Sequence, residues 1–98
     1  MTKRTVKEIK AIGKDLVPTI HVGKGGVDEG LIQEVKLQLK TRKVVKIRLL
    51  PSAAEDKKGT AQQIADGANA VLIDVRGYIV LLCEKAFMEG KGVLPNLG

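Results

Sequence analysis

Val17-Pro18-Thr19-Ile20-His21-Val22 runs into Gly23-Lys24-Gly25-Gly26-Val27-Asp28, and Glu29-Gly30-Leu31-Ile32 follows. The first six residues read as a strand, with Pro18 near its start, where a missing N–H is tolerated. The last four open an amphipathic helix. A Gly-x-x-Gly loop, Gly23 to Gly26, joins the two. Glycines let the backbone turn tightly and come close to a ligand. A helix N-terminus adds partial positive charge and unpaired N–H donors, and Lys24 adds a full charge. The combination suits a phosphate group.

Downstream, the helix is expected over residues 29–42, with Asp28 as its N-cap. Leu31, Ile32, Val35 and Leu39 form its buried stripe, and Glu29, Gln33, Lys36 and Lys40 form an outer one. Cations near its C-terminus, Lys40, Arg42 and Lys43, also suit the helix dipole. Residues 44–50 alternate as a strand, with Val45, Ile47 and Leu49 on one face and Lys46 and Arg48 on the other. One side of the sheet is therefore expected to meet water. Pro51 ends this strand. Ser52 with Glu55 offers a capping box, and Ala61, Ile64, Ala65 and Ala68 mark a third helix that exits through Gly67 and Asn69. Residues 71–75 form a third strand, Gly77 a tight turn, and residues 78–83 a fourth strand. That strand is apolar at nearly every position, as a central or covered strand would be.

Upstream, residues 2–13 read as a helix that Thr2 or Thr5 can cap and Gly13 ends. Val6 and Ile9 share a face. Lys3, Lys7, Lys10 and Lys14 form one stripe on a different face, which serves equally as a solvated surface or as a phosphate-binding track. The order is α-β-α-β-α-β-β. The first three strands are joined through helices and should run parallel; the fourth returns antiparallel. The expected fold is α+β, a two-layer domain with a four-stranded mixed sheet.

Ninety-eight residues make one domain, and 44% hydrophobic with 29% charged residues is ordinary for a globular protein. The longest apolar stretch, Tyr78 to Cys83, is too short to span a bilayer. Lys3, Arg4, Lys7 and Lys10 interrupt any signal-peptide pattern. The single Cys83 forms no internal disulfide and reads as a small buried residue, so the expected location is cytoplasmic. Net charge is +6, but residues 1–50 hold twelve Lys or Arg against five Asp or Glu, while residues 51–98 hold five against six. The positive excess lies in the half that contains the glycine loop, and a basic surface of this kind favours nucleic acid.

The chain resembles the CRM domain (chloroplast RNA splicing and ribosome maturation) in its free-standing, YhbY-like prokaryotic form. Three segments carry the likeness. They are Leu16-Val17-Pro18 leading into Val22 to Asp28, Leu39 with Val44-Val45-Lys46-Ile47-Arg48, and Gly67-Ala68 with Val71 to Leu82. Two places depart from the family pattern. Arg76 precedes Gly77 where the family puts a basic residue after the glycine, and the last strand ends Leu82-Cys83-Glu84 where the family tends to Leu-Tyr-Arg. The resemblance implies a fold similar to the C-terminal domain of the third bacterial translation initiation factor. It also implies an RNA-binding protein that associates with precursors of the large ribosomal subunit. A CRM-like domain is expected over residues 1–86 and a glycine-rich tail over 87–98.

On this reading the RNA-binding residues are Gly23, Lys24, Gly25 and Gly26 of the loop and Lys36, Lys40, Arg42 and Lys43 of the second helix. Lys46 and Arg48 of the sheet join them, with Lys3, Lys7, Lys10 and Lys14 of the first helix. KH domains clamp nucleotides with a Gly-x-x-Gly loop, although theirs joins two helices. An ion pair with Asp74 is the competing role for Lys46 and Arg48. With Tyr78 and Phe87 the only aromatic residues, phosphate and shape readout are expected over base reading. Walker and dinucleotide patterns both fail here, since no Ser or Thr follows a Gly-Lys pair and Asp28 stands where a third glycine is needed. His21 has no carboxylate near it in sequence, and no metal-ligand spacing is present. The expectation is a binding protein with no enzymatic activity, cofactor, metal, small-molecule substrate or membrane partner. The alternative is a protein-interaction module docking on an acidic partner.

Overall fold

The computed structural model describes residues 3–23, 25–51 and 56–94. Helix α1 spans Val6–Lys14 and begins at a capping box. The Thr5 side chain accepts the Glu8 N–H at 3.1 Å, and the Glu8 carboxylate accepts the Thr5 N–H at 3.4 Å. Thr5, and not Thr2, therefore starts the helix. Strand β1 is Ile20–Val22, shorter than the apolar run suggests. Pro18 has no N–H to donate to a ladder, although the Thr19 N–H already reaches the Lys46 carbonyl at 3.0 Å. Helix α2, Glu29–Arg42, is capped by Asp28, whose carboxylate accepts the Leu31 N–H at 2.8 Å.

Strand β2 (Val44–Leu49) leads to helix α3 (Lys57–Gly67), which Asp56 caps by accepting the Gly59 N–H at 3.0 Å. The expected capping box of Ser52 and Glu55 lies outside the described residues. Strands β3 (Val71–Arg76) and β4 (Ile79–Cys83) are joined through Gly77 and Tyr78, and Gly77 adopts φ +60°. A short helix, α4, covers Lys85–Met88.

The sheet order is β1-β2-β4-β3, with β1 and β2 parallel and β4 antiparallel to both neighbours. β1, β2 and β3 thus point the same way, as the helical connections require, but β4 is inserted between β2 and β3. Its continuous apolar run follows from that place. Val80 and Leu82 face one core, and Leu81 and Cys83 face another.

The larger core packs Val35 and Leu39 of α2 and Ala61, Ile64 and Ala65 of α3 against Val45, Ile47, Leu49, Val80 and Leu82. The second gathers Ile9 of α1 and Phe87 of α4 with Val44, Ile73, Leu81 and Cys83. The expected α+β fold with a four-stranded mixed sheet is the one observed, but helices lie on both faces, so the expected wet face is only partly open. Lys46 and Arg48 mark only part of the outer face as polar, and Val44, Ile73, Leu81 and Cys83 make the rest an apolar patch that must be covered.

The chain beyond residue 86 is part of this arrangement. Phe87 is 1% exposed, so the division after residue 86 passes through α4. The Arg4 guanidinium lies 3.7 Å over the Phe87 ring and donates to its carbonyl at 2.7 Å, and the Arg4 N–H donates to the Met88 carbonyl at 2.8 Å. Cation–π contact and hydrogen bonds together tie the segment before α1 to α4. Among the described residues no helix is long and apolar enough to cross a membrane.

Gly13 does not end α1; it lies inside it, against β4. A Cβ there would sit 2.6 Å from Leu81 Cδ2, so the missing side chain lets α1 lie close on the sheet. Gly13→Val should cost about 2 kcal/mol of stability by overpacking, measured by urea unfolding. Burial, reinforced by the neighbouring Glu84 carboxylate, pushes the Cys83 thiol up to about 11. The thiolate is the reactive form, so Cys83 should resist alkylation near neutral pH in the folded chain. It should react promptly once denaturant is added, as mass spectrometry would show.

Candidate nucleic-acid interface

The glycine loop is a turn closed by the Gly26 N–H donating to the Gly23 carbonyl at 2.9 Å. Gly26 has φ +68°, and a Cβ at Gly25 or Gly26 would meet nothing within 4 Å. The loop therefore presents bare backbone outward. Its base is anchored, since the Leu50 N–H donates to the Val22 carbonyl at 2.9 Å and a Cβ at Gly23 would lie 3.7 Å from Leu50 Cδ1. Lys24 lies outside the described residues. The start of α2 behind the loop already carries two carboxylates, with Asp28 on the Leu31 N–H and Glu29 in the first turn. These acids serve the positive end of the helix dipole, so the anion-attracting charge has to come from elsewhere.

It comes from the sheet face beneath α1. Register places His21 beside Arg48, Arg48 beside Ile79, and Ile79 beside Arg76, in one row across all four strands. The next row holds Lys46, Leu81 and Asp74. α1 covers the far part of this face and leaves a groove of about 600 Å³, lined by Lys10 and Lys14 from the helix and by Lys46, Asp74, Arg76 and Ile79 from the sheet. Two residues from a helix and two from different strands thus bring four cations to one groove, with Arg48 exposed beside it.

The competing role proposed for Lys46 and Arg48 is not what the structure shows. The Lys46 ammonium donates to the Leu16 carbonyl at 2.9 Å. Arg76 is the residue near Asp74, at 3.9 Å, and its side chain is 88% exposed. Such a pair is worth little and leaves the guanidinium free to bind.

The remaining expected residues lie apart from this groove. α2 has fourteen residues, so its C-terminus is roughly 20 Å from the loop at its start. Lys40 belongs to that far end and Lys36 is exposed partway along, whereas Arg42 lines a second cavity together with Leu16 and Lys46, next to the groove. Lys43 is committed there: its ammonium lies 3.3 Å from Glu84 and donates to the Lys40 carbonyl at 2.9 Å. Lys3 and Lys7, both exposed, continue the stripe of Lys10 and Lys14 toward α4. The single basic track expected from the sequence is therefore divided: Lys10, Lys14 and Lys46 line the groove, while Lys36, Lys40 and Lys43 do not. Arg76 and His21 were not among the expected site residues. Their alternation with Asp74 and with Ile20 was visible, but only the strand register sets them beside Arg48.

A family model for the CRS1/YhbY (CRM) domain matches residues 1–83. The chain belongs to the CRM family. It is 26% identical over 95 residues to the probable RNA-binding protein YqeI of Bacillus subtilis, covering 97% of this chain and 99% of that one. It is 32% identical over 84 residues to the probable RNA-binding protein MJ0652 of Methanocaldococcus jannaschii, covering 84% of this chain and 62% of that one. The solution structure of SAV1595 from Staphylococcus aureus, a candidate RNA-binding protein, superposes on this CRM domain with a TM-score of 0.72 at 25% identity. That match covers 94% of this chain and 99% of that one.

The two outer glycines of the CRM loop differ in what they tolerate. Gly26→Ala should lose about 1 kcal/mol, because an L-residue is strained at its positive φ. Gly25→Ala should melt within about 0.5 kcal/mol of the parent. Thermal denaturation of the two variants checks this and leaves Gly25 as the cleaner position for binding tests.

Proposed function

We propose that this CRM domain binds RNA through phosphate contacts, and that its target is precursor RNA of the large ribosomal subunit during assembly. The observation that carries the RNA reading is the convergence of Lys10, Lys14, Lys46 and Arg76 on one groove, with Arg48 beside it. The groove opens on the sheet end where the bare backbone of Gly25 and Gly26 projects. CRM membership and the names of the two relatives support the same reading. The choice of ribosomal precursor follows from the family resemblance.

The mechanism is electrostatic positioning. Cations in the groove neutralise phosphates and release condensed counterions. The glycine turn lets the main chain approach the ribose–phosphate strand, and Lys24 of the loop sequence adds a positive charge. Lys3 and Lys7 extend the α1 stripe, Arg42 adds charge beside Lys46, and Lys36 and Lys40 contribute to the long-range field that steers encounter. Lys43 contributes mainly through its bond with Glu84. The domain acts as a binding protein in the cytoplasm and carries out no chemistry on its RNA.

Filter binding to a large-subunit precursor fragment tests this. Affinity should fall steeply between about 50 mM and about 200 mM salt. Replacing both Arg48 and Arg76 by Ala should weaken binding at least about tenfold, and should lower the salt slope by about 0.7–0.9 per charge removed. Gly25→Asp should weaken binding while the circular dichroism spectrum stays unchanged. Parent-like affinity in both variants would reject the groove and the loop as the interface. Binding of an acidic protein with no measurable RNA affinity would favour the docking-module alternative.

A further inference from the structure

We propose that Tyr78 is a stacking platform for one unpaired nucleobase, so that the domain prefers RNA with a loop, bulge or junction over a continuous duplex. The inference rests on the RNA reading above and goes beyond it, since phosphate contacts alone do not distinguish paired from unpaired strands.

Tyr78 is the only tyrosine, the chain has no tryptophan, and its one phenylalanine, Phe87, is buried. Tyr78 is 41% exposed, so among the described residues it is the one exposed benzene-type ring, with the smaller His21 imidazole exposed on β1. The position of Tyr78 is rigid. It sits in a two-residue turn between the paired residues Arg76 and Ile79, and its carbonyl accepts the Leu49 N–H at 2.7 Å. The neighbouring Leu50 bonds to Val22 at the base of the glycine loop. Turn and loop therefore flank the same end of β2, about two inter-strand spacings apart, roughly 10 Å. A short nucleotide segment can touch both.

The surroundings are cationic. The Lys57 ammonium lies over one face of the Tyr78 ring, 4.6 Å from its centre, which orients the ring and leaves the other face as the one for a base. Arg76 precedes the turn, and Arg48 pairs with the residue that follows it. An exposed aromatic ring with Lys57 against it, in a turn whose flanking strand ends carry Arg76 and Arg48, matches a nucleotide, whose base is flat and whose phosphate is anionic. A base inside an A-form duplex cannot reach such a ring, because it is stacked within the helix and its major groove is closed to side chains.

The test titrates the parent chain, Tyr78→Phe and Tyr78→Ala with two RNA hairpins of equal phosphate number, one fully paired and one with an adenine bulge. The parent and Tyr78→Phe should bind the bulged hairpin about tenfold more tightly than Tyr78→Ala does. All three should bind the paired hairpin equally. With no tryptophan present, intrinsic emission reports Tyr78 alone. The bulged hairpin should quench it more than the paired one, after correction with free N-acetyltyrosinamide. Equal affinity of Tyr78→Ala and the parent for the bulged RNA, or an equal loss on both RNAs, overturns the stacking role while leaving the RNA reading intact. Failure of the parent to bind either RNA at low salt overturns both.

Discussion

Pairing of β4 between β2 and β3 is the constraint on which the rest depends. Five residues of β4 register against β2 on one side and β3 on the other, and four of them, Val80 to Cys83, are buried. A strand apolar on both faces needs cover on both faces. α2 and α3 supply it on one side. On the other, α1 and α4 supply it, but only over the part of the sheet where Val44, Ile73, Leu81 and Cys83 are apolar. The uncovered remainder is where the strand ends carry His21, Arg48 and Arg76. The basic groove is thus a consequence of partial coverage, with α1 as one wall and the polar end of the sheet as its floor.

The same pairing brings the glycine loop and the β3–β4 turn together. Parallel β1 and β2 both end at the glycine-loop side, and the β3–β4 turn arrives there because β4 runs antiparallel. Backbone bonds from Leu49 to Tyr78 and from Leu50 to Val22 join both loops to the end of one strand. Exposed backbone, cations and the Tyr78 ring meet in this way although the two loops are more than fifty residues apart in sequence.

Charge placement follows a division of labour. Asp28 and Glu29 satisfy the positive end of α2, and Lys40, Arg42 and Lys43 the negative end. These residues stabilise the helix, and Lys43 in addition holds the α4 side through Glu84. Among the cations of α1 and the sheet, Lys14 likewise stands at a helix C-terminus, Lys46 bonds to Leu16 and Arg76 lies near Asp74. Lys14, Lys46 and Arg76, with Lys10, are also the ones that border the groove.

Much of this was readable from residue order. Periodicity located α2 and its Asp28 cap, the alternation of β2, and the apolar character of β4, because burial is written in which residues are hydrophobic and at what spacing. The glycine loop was readable too, since its Gly residues stand between a strand and a capped helix. Periodicity states that a side chain must be buried but not against what. The insertion of β4 into the sheet, the docking of α1 through Gly13, the recruitment of Phe87 and the separation of the α2 cations from the groove were all decided by tertiary pairing. Strand register and helix docking depend on contacts between residues far apart in the chain, and local patterns carry no information about them.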